Sequence, residues 1–174
     1  MKNYIIALIL FFSVSVSAQS AFDRFESQDA VTSVVVTKKM FELMGNIKMD
    51  GNDKSTQQYL NLVKKLDNLK VFTTSNNKAI ADMRNTVESY LKSNPLEELM
   101  RINDSGKNVK IYVKQGSSAN QVRELLMFID NSSRNEDTVL MSLTGNFSLD
   151  EISVLTDQMK IPGGNELKKA ANKK

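Results

Sequence analysis

Two Ser-x-x-Lys pairs stand in this 174-residue sequence, Ser75 with Lys78 and Ser89 with Lys92. On a helix, residues three apart share a face, so such a pair brings a hydroxyl to an amine. This is the nucleophile–base spacing of penicillin-recognising serine enzymes. The companion motifs Ser-Asp-Asn and Lys-Thr-Gly are missing from the chain, and Ser75-Asn76 reads more simply as a helix cap. Asp50, Asn52 and Asp53 form one acidic loop, and Asp130, Asn135, Glu136 and Asp137 form another. Calcium takes such oxygen ligands, but neither loop has the D-x-[DN]-x-[DN]-G register, and Arg134 interrupts the second. Both read as polar turns. Met40 and Met44, four apart, could offer two thioethers to Cu(I). They share a helical stripe with Phe41, Leu43 and Ile47, where methionine serves as core filler.

Composition narrows the chemistry further. Cysteine, histidine and tryptophan are absent, which removes thiol nucleophiles, disulfides, Cys/His metal sites and any Ser-His-Asp triad. Acid–base catalysis near neutrality would fall to shifted carboxylates or lysines. The formal charge of +3 gives no broad basic footprint for nucleic acid. No catalytic residue, metal or cofactor is therefore assigned, and a non-catalytic role is favoured.

The first residues set the compartment. Lys2, the apolar run Ile5 to Phe12 and the small residues of Val16-Ser17-Ala18 have the three-part layout of a signal peptide. The run is short of the ~20 residues that span a bilayer. Residues 1–18 are thus expected to be cleaved and the chain exported. With no cysteine to carry a lipid, a soluble periplasmic protein without stable membrane insertion is expected. Residues 19–162 then form one domain. Residues 163–174, with Lys168, Lys169, Lys173 and Lys174, lack the apolar face of a membrane-surface helix and read as a flexible basic tail.

The elements that must position any site follow from periodicity. Val31 to Thr37 is a β-branched strand, and Met40 to Ile47 a short helix. Ser55 with Gln58 is a capping box opening a helix along Tyr59, Leu62, Val63 and Leu66. Leu69 to Thr74 alternates as a strand, and a long helix carries Ala79, Ile80, Met83, Val87, Tyr90 and Leu91. Asn94-Pro95 followed by Glu97 and Glu98 has the signs of a helix start, giving a helix over Pro95 to Ile102. Val109, Ile111 and Val113 mark a half-buried strand. Residues 121–129 fit either a helix or a strand. Val139 to Thr144 is a strand, and Ser148 with Glu151 opens a last helix that Pro162-Gly163-Gly164 ends.

Along these elements the segments "VTSVVVTKKMFELM", "LKVFTTSN", "LEELMRINDSGKNVKIYVKQG", "RELLMFIDN" and "TVLMSLTGNFSLDEIS" resemble the domain-of-unknown-function family numbered 4252. These are small exported proteins of Gram-negative Bacteroidota. The resemblance runs from about Phe22 to Met159. It implies a compartment and an architecture but no catalytic residue. It also implies that residues 121–129 pair with 138–144 as a hairpin.

The resulting expectation is an α+β protein. Its mixed sheet of about five strands has two βαβ-type crossovers followed by an antiparallel meander, with helices mainly on one face. If Val71, Val109, Ile111 and Val113 face the core, alternation throws Lys70, Phe72, Lys110, Tyr112 and Lys114 onto the other face. Ser142 and Thr144 join them if Met141 and Leu143 point inward. Left open, this face would bind through stacking, cation–π contact and charge. An envelope protein, an anionic glycan or a second copy would suit it, and export argues against nucleic acid. The competing expectation is that the C-terminal helix or the Phe22/Phe25 segment covers the face. The functions that follow are a non-catalytic envelope binding module, a small periplasmic hydrolase using Ser/Lys or carboxylates, or an accessory protein of envelope-stress regulation.

Overall fold

The computed structural model describes residues 21–46, 54–118, 120–152, 155 and 162–171. The expected signal segment and the Asp50/Asp53 loop lie outside them. The chain runs through β1 (Thr32–Thr37), α1 (Lys38–Gly45), α2 (Lys54–Val63), β2 (Leu66–Thr74) and α3 (Asn77–Ser93). It continues through β3 (Glu97–Asp104), β4 (Lys107–Gln115), β5 (Gln121–Asp130) and β6 (Thr138–Ser148). A helical segment opens at Leu149, and α4 (Gly164–Ala171) follows. The strands make one sheet in the order β1-β2-β6-β5-β4-β3, with every neighbouring pair antiparallel.

The class is α+β, as expected, but among the described residues the sheet has six strands and no parallel neighbours. The sixth is β3, where a helix was expected over Pro95 to Ile102. Met100 and Ile102 pair with Ile111 and Val109 on β4, so the period that counts here is two, and tertiary pairing overrides the local helix-start signals. The first expected crossover fails for a geometric reason. Two helices, α1 and α2, join β1 to β2, and a there-and-back pair returns the chain to the end of the sheet it left. The next strand must then run antiparallel. The second crossover, through the single helix α3, does deliver β3 parallel to β2, but β6, β5 and β4 stand between them. The hairpin of β5 with β6 is present as expected.

Strands β2, β5 and β6 send alternate residues to two different cores. One core joins Leu69, Val71, Val109, Ile111, Leu125, Met127 and Met141 to Phe41 of α1, Leu62 and Val63 of α2, and Ile152 and Leu155 after β6. The other joins Phe72, Leu126, Phe128 and Leu140 to Ala79, Met83, Val87 and Tyr90 of α3 and to Phe22 and Phe25. Strands β5 and β6 are therefore buried on both faces. This explains why residues 121–129 read ambiguously: a strand covered on both sides loses its alternation.

Three expectations change with this arrangement. Helices lie on both sides of the sheet, with α3 and the Phe22/Phe25 turn on the face expected to be open. The C-terminal residues 164–171 form a docked helix, not a free tail: Leu167 and Ala170 are buried in the larger core, and Lys107 Nζ donates to Glu166 at 2.6 Å. Met40 stays 52% exposed, so of the two methionines only Met44 packs against the core.

Candidate functional site

The five residues expected on one open face divide into two groups. Phe72 is fully buried, its ring centroid 5.6 Å from that of Phe25. Lys70 is buried beside it and donates to Asp23 and, at 2.6 Å, to Glu26. Burial opposes the ammonium's charge, but these two carboxylates outweigh it and hold the lysine above its ordinary pKa. Both residues are thus structural: they fix the Asp23–Phe25 turn against the sheet. Ser142 is buried on the same face.

Lys110, Tyr112 and Lys114 have a different environment. Helix α3 reaches across β2, β6 and β5, shown by Phe72, Leu140, Leu126 and Phe128 in its core, and leaves Tyr112 of β4 only half-buried. A cleft of about 180 Å³ runs between helix and strand. Helix α3 lines it with Arg84, Val87, Glu88 and Leu91, spaced i, i+3, i+4, i+7 and so on one stripe. Strand β4 contributes Asn108, Lys110 and Tyr112, and β5 contributes Phe128 and Asp130, each set at period two. Lys114, one step beyond on β4, is exposed.

The charges in the cleft are unequally committed. Arg84 donates through Nη2 and Nε to one oxygen of Asp130, at 2.6 and 3.2 Å. Ser132 donates to the other through its backbone N–H and hydroxyl, at 3.1 and 2.7 Å. Burial alone would raise the Asp130 pKa, but these donors bring it below the ordinary aspartate range. Asp130, one of the three acids of the second acidic loop, is thus already taken up by protein donors, and no cluster of metal-ligating acids occurs among the described residues. Burial, and after it the charge of Glu98, pushes the Tyr112 phenol above its ordinary pKa, with Arg101 opposing. Lys110, opposite Phe128 on β5, makes no ion pair among the described residues.

Beyond the cleft lies an acid that the sequence reading passed over. Glu124, across the ladder from Lys114, is 5% exposed and accepts a hydrogen bond of 2.6 Å from the Tyr90 hydroxyl. Burial raises its pKa, and the Tyr90 bond and the charge of Lys114 recover only part. The folded protein therefore takes up this proton before the unfolded chain does. Its contribution to stability is full below the ordinary value of 4.5 and is lost as pH rises through the folded pKa. Glu124→Gln keeps an acceptor for Tyr90 and removes the buried charge. The variant should be more stable than the parent at neutral pH, with the difference closing as pH falls through the raised folded pKa and gone below 4.5. Urea melts across a pH series check this. The lowered carboxyls Asp130, Glu151 and Glu166 act in the opposite sense in both proteins and cancel in the difference.

Of the Ser-x-x-Lys pairs, the first resolves into a cap. The Asn76 side chain accepts from the backbone N–H of Lys78 and Ala79, at 3.0 and 3.1 Å. The contributions of Arg84, Glu88 and Asp130 to the cleft were also missed. Arg84 and Glu88 stand on a polar stripe beside the apolar stripe of the long helix, and Asp130 closes β5; they form one wall only once the helix is laid over the strands.

These features define a small cysteine-free α+β protein with helices on both faces of an antiparallel sheet. Among its described residues no helix is long and apolar enough to cross a membrane. The family model described as "Domain of unknown function (DUF4252)" matches residues 25–155, and the chain belongs to that family. No curated protein and no solved structure matches it.

Proposed function

We propose that the protein is an exported, non-catalytic binding module of the cell envelope, and that the cleft between α3 and β4 takes an acidic sugar of an envelope glycan. The observation that carries this reading is Lys110, a cation without an ion pair among the described residues, in a cleft whose other cation, Arg84, is taken up by Asp130. An acidic group on the ligand supplies the missing partner. The Tyr112 ring offers an apolar surface to a sugar face, and Asn108 and Glu88 supply donors and acceptors for hydroxyls. Export is supported by the Lys2, Ile5–Phe12 and Val16-Ser17-Ala18 pattern, and the absence of cysteine favours a soluble periplasmic form. A hydrolase reading has less support: Asp130, the cleft carboxylate held by protein donors, is pulled down, not up, and a general acid needs the reverse.

The test is calorimetric titration with a polyuronate and with an uncharged polysaccharide of the same linkage. The acidic polymer should bind, the neutral one at least tenfold more weakly, and Lys110→Glu should remove the difference without moving the melting temperature. Equal affinity for both polymers, or binding indifferent to Lys110, overturns the glycan assignment. Lys110-dependent capture of an envelope protein would assign the cleft to a protein partner instead, as in a stress-regulatory accessory role.

A further inference from the structure

The two edges of the sheet are built differently. Strand β3 carries Glu97, Glu98, Arg101 and Asp104, and a bulge between Glu98 and Met100 interrupts its ladder. Charges and bulges are the usual means by which an edge resists further pairing. Strand β1, Thr-Ser-Val-Val-Val-Thr, has neither. It pairs residue for residue with β2 from Thr32 to Thr37, without a register shift, and among the described residues no strand flanks its other side. Val34 and Val35 are 50% and 38% exposed, on opposite faces of the strand. Met40 and Leu43 in the adjoining α1 are also exposed, so four of the five exposed large apolar residues among the described ones gather at this end of the sheet.

We infer that β1 is a self-association edge, and that its occupant is β1 of a second copy of this chain in antiparallel register about a twofold axis at Val35. A row of unpaired backbone donors and acceptors is recognised by another strand. The sequence fits its own reverse: with Val35 opposite Val35, Val34 faces Val36 and Ser33 faces Thr37. Valine then meets valine, and hydroxyl meets hydroxyl. This register keeps side chains of like orientation together, so each protomer's two cores stay on their own sides of a joined twelve-strand sheet. The joint continues the antiparallel sense found throughout the sheet. Five paired residues on each strand bury less than the ~800 Å² per partner of a standard interface, so the dimer forms and dissociates with concentration. The inference is independent of the cleft, which lies toward the other edge.

Sedimentation velocity of the purified protein from micromolar to millimolar concentration should show a reversible monomer–dimer equilibrium. Val35→Lys, which sets two ammonium groups face to face, should leave a monomer with an unchanged melting temperature. Because the chain has no cysteine, crosslinking also reads the register. Two Val35→Cys side chains would stand directly opposite one another at ~5 Å between Cβ atoms and should form a disulfide under mild oxidation. Two Val34→Cys side chains would be two residues out of register, roughly 8 Å apart by strand geometry, and should not. If Val35→Lys fails to fold, the cysteine pair decides. A monomer at every concentration, or crosslinking at position 34 as efficient as at position 35, overturns the inference.

Discussion

Phe72→Ala is expected to destabilise the protein by about 3–5 kcal/mol, the range for truncating a buried aromatic, whereas Tyr112→Ala is expected to cost less than about half of that. Both residues follow the same alternation on the same sheet face, so the sequence pattern alone gives them one role. The structure separates them. Phe72 has no exposed surface, with Phe25 beside its ring and Met83 and Leu140 in the same core. Its loss leaves a cavity in the core that α3 shares with Phe22 and Phe25. Tyr112 is only half-buried at the cleft wall. For a domain of this size ~3 kcal/mol lowers the melting temperature by on the order of 10 °C, well resolved by calorimetry. Equal and small losses at both positions would mean that α3 does not cover this face.

The divergence between those two residues shows what local sequence can and cannot carry. Alternation correctly placed Lys110, Tyr112 and Lys114 on one side of a strand, because an edge-proximal strand with one wet face keeps its period. Which strands a crossing helix lies over depends on contacts far apart in sequence. Phe72 owes its burial to Phe25 and Leu140, and neither is near it in the chain. The misreading of β3 was different, because its signal was present. Ser105 and Gly106 both have positive φ, 45° and 94°, which is the backbone of a two-residue hairpin turn. The Asp104–Lys107 pair closes that turn. Asp-Ser-Gly-Lys between Ile102 and Val109 therefore marked a hairpin, and the Asn94-Pro95-Glu97 helix-start pattern masked it. The pairing of β5 with β6 followed from family resemblance, since two-sided burial had erased the alternation that would have shown it. In the cleft, Lys110 and Tyr112 were legible from β4. Arg84 and Glu88 were not, because a polar stripe on a helix acquires meaning only once its neighbour is known.

Removing both carboxylates that meet Lys70, by Asp23→Asn with Glu26→Gln, is expected to cost about 3 kcal/mol, and adding Lys70→Met is expected to recover most of it. The asymmetry comes from where the charges lie. The Lys70 side chain is 9% exposed, whereas those of Asp23 and Glu26 are 51% and 37% exposed. Stripping the acids takes from a deeply placed ammonium the two carboxylates it donates to, the costly way to break an ion pair. Lys70→Met alone leaves two carboxylates that water can reach and puts an apolar chain among Phe25 and Phe72. It is therefore expected to cost no more than about 1 kcal/mol. Urea melts of the parent, the double variant, the single variant and the triple variant close the cycle. Recovery in the triple variant means that the charge at position 70 is a burial cost that Asp23 and Glu26 offset, and that the apolar contacts of Phe22 and Phe25 hold the turn on the sheet. If the triple variant stays as weak as the double, the ion pairs themselves fasten the turn, and the face that α3 and this turn cover would open when they are lost.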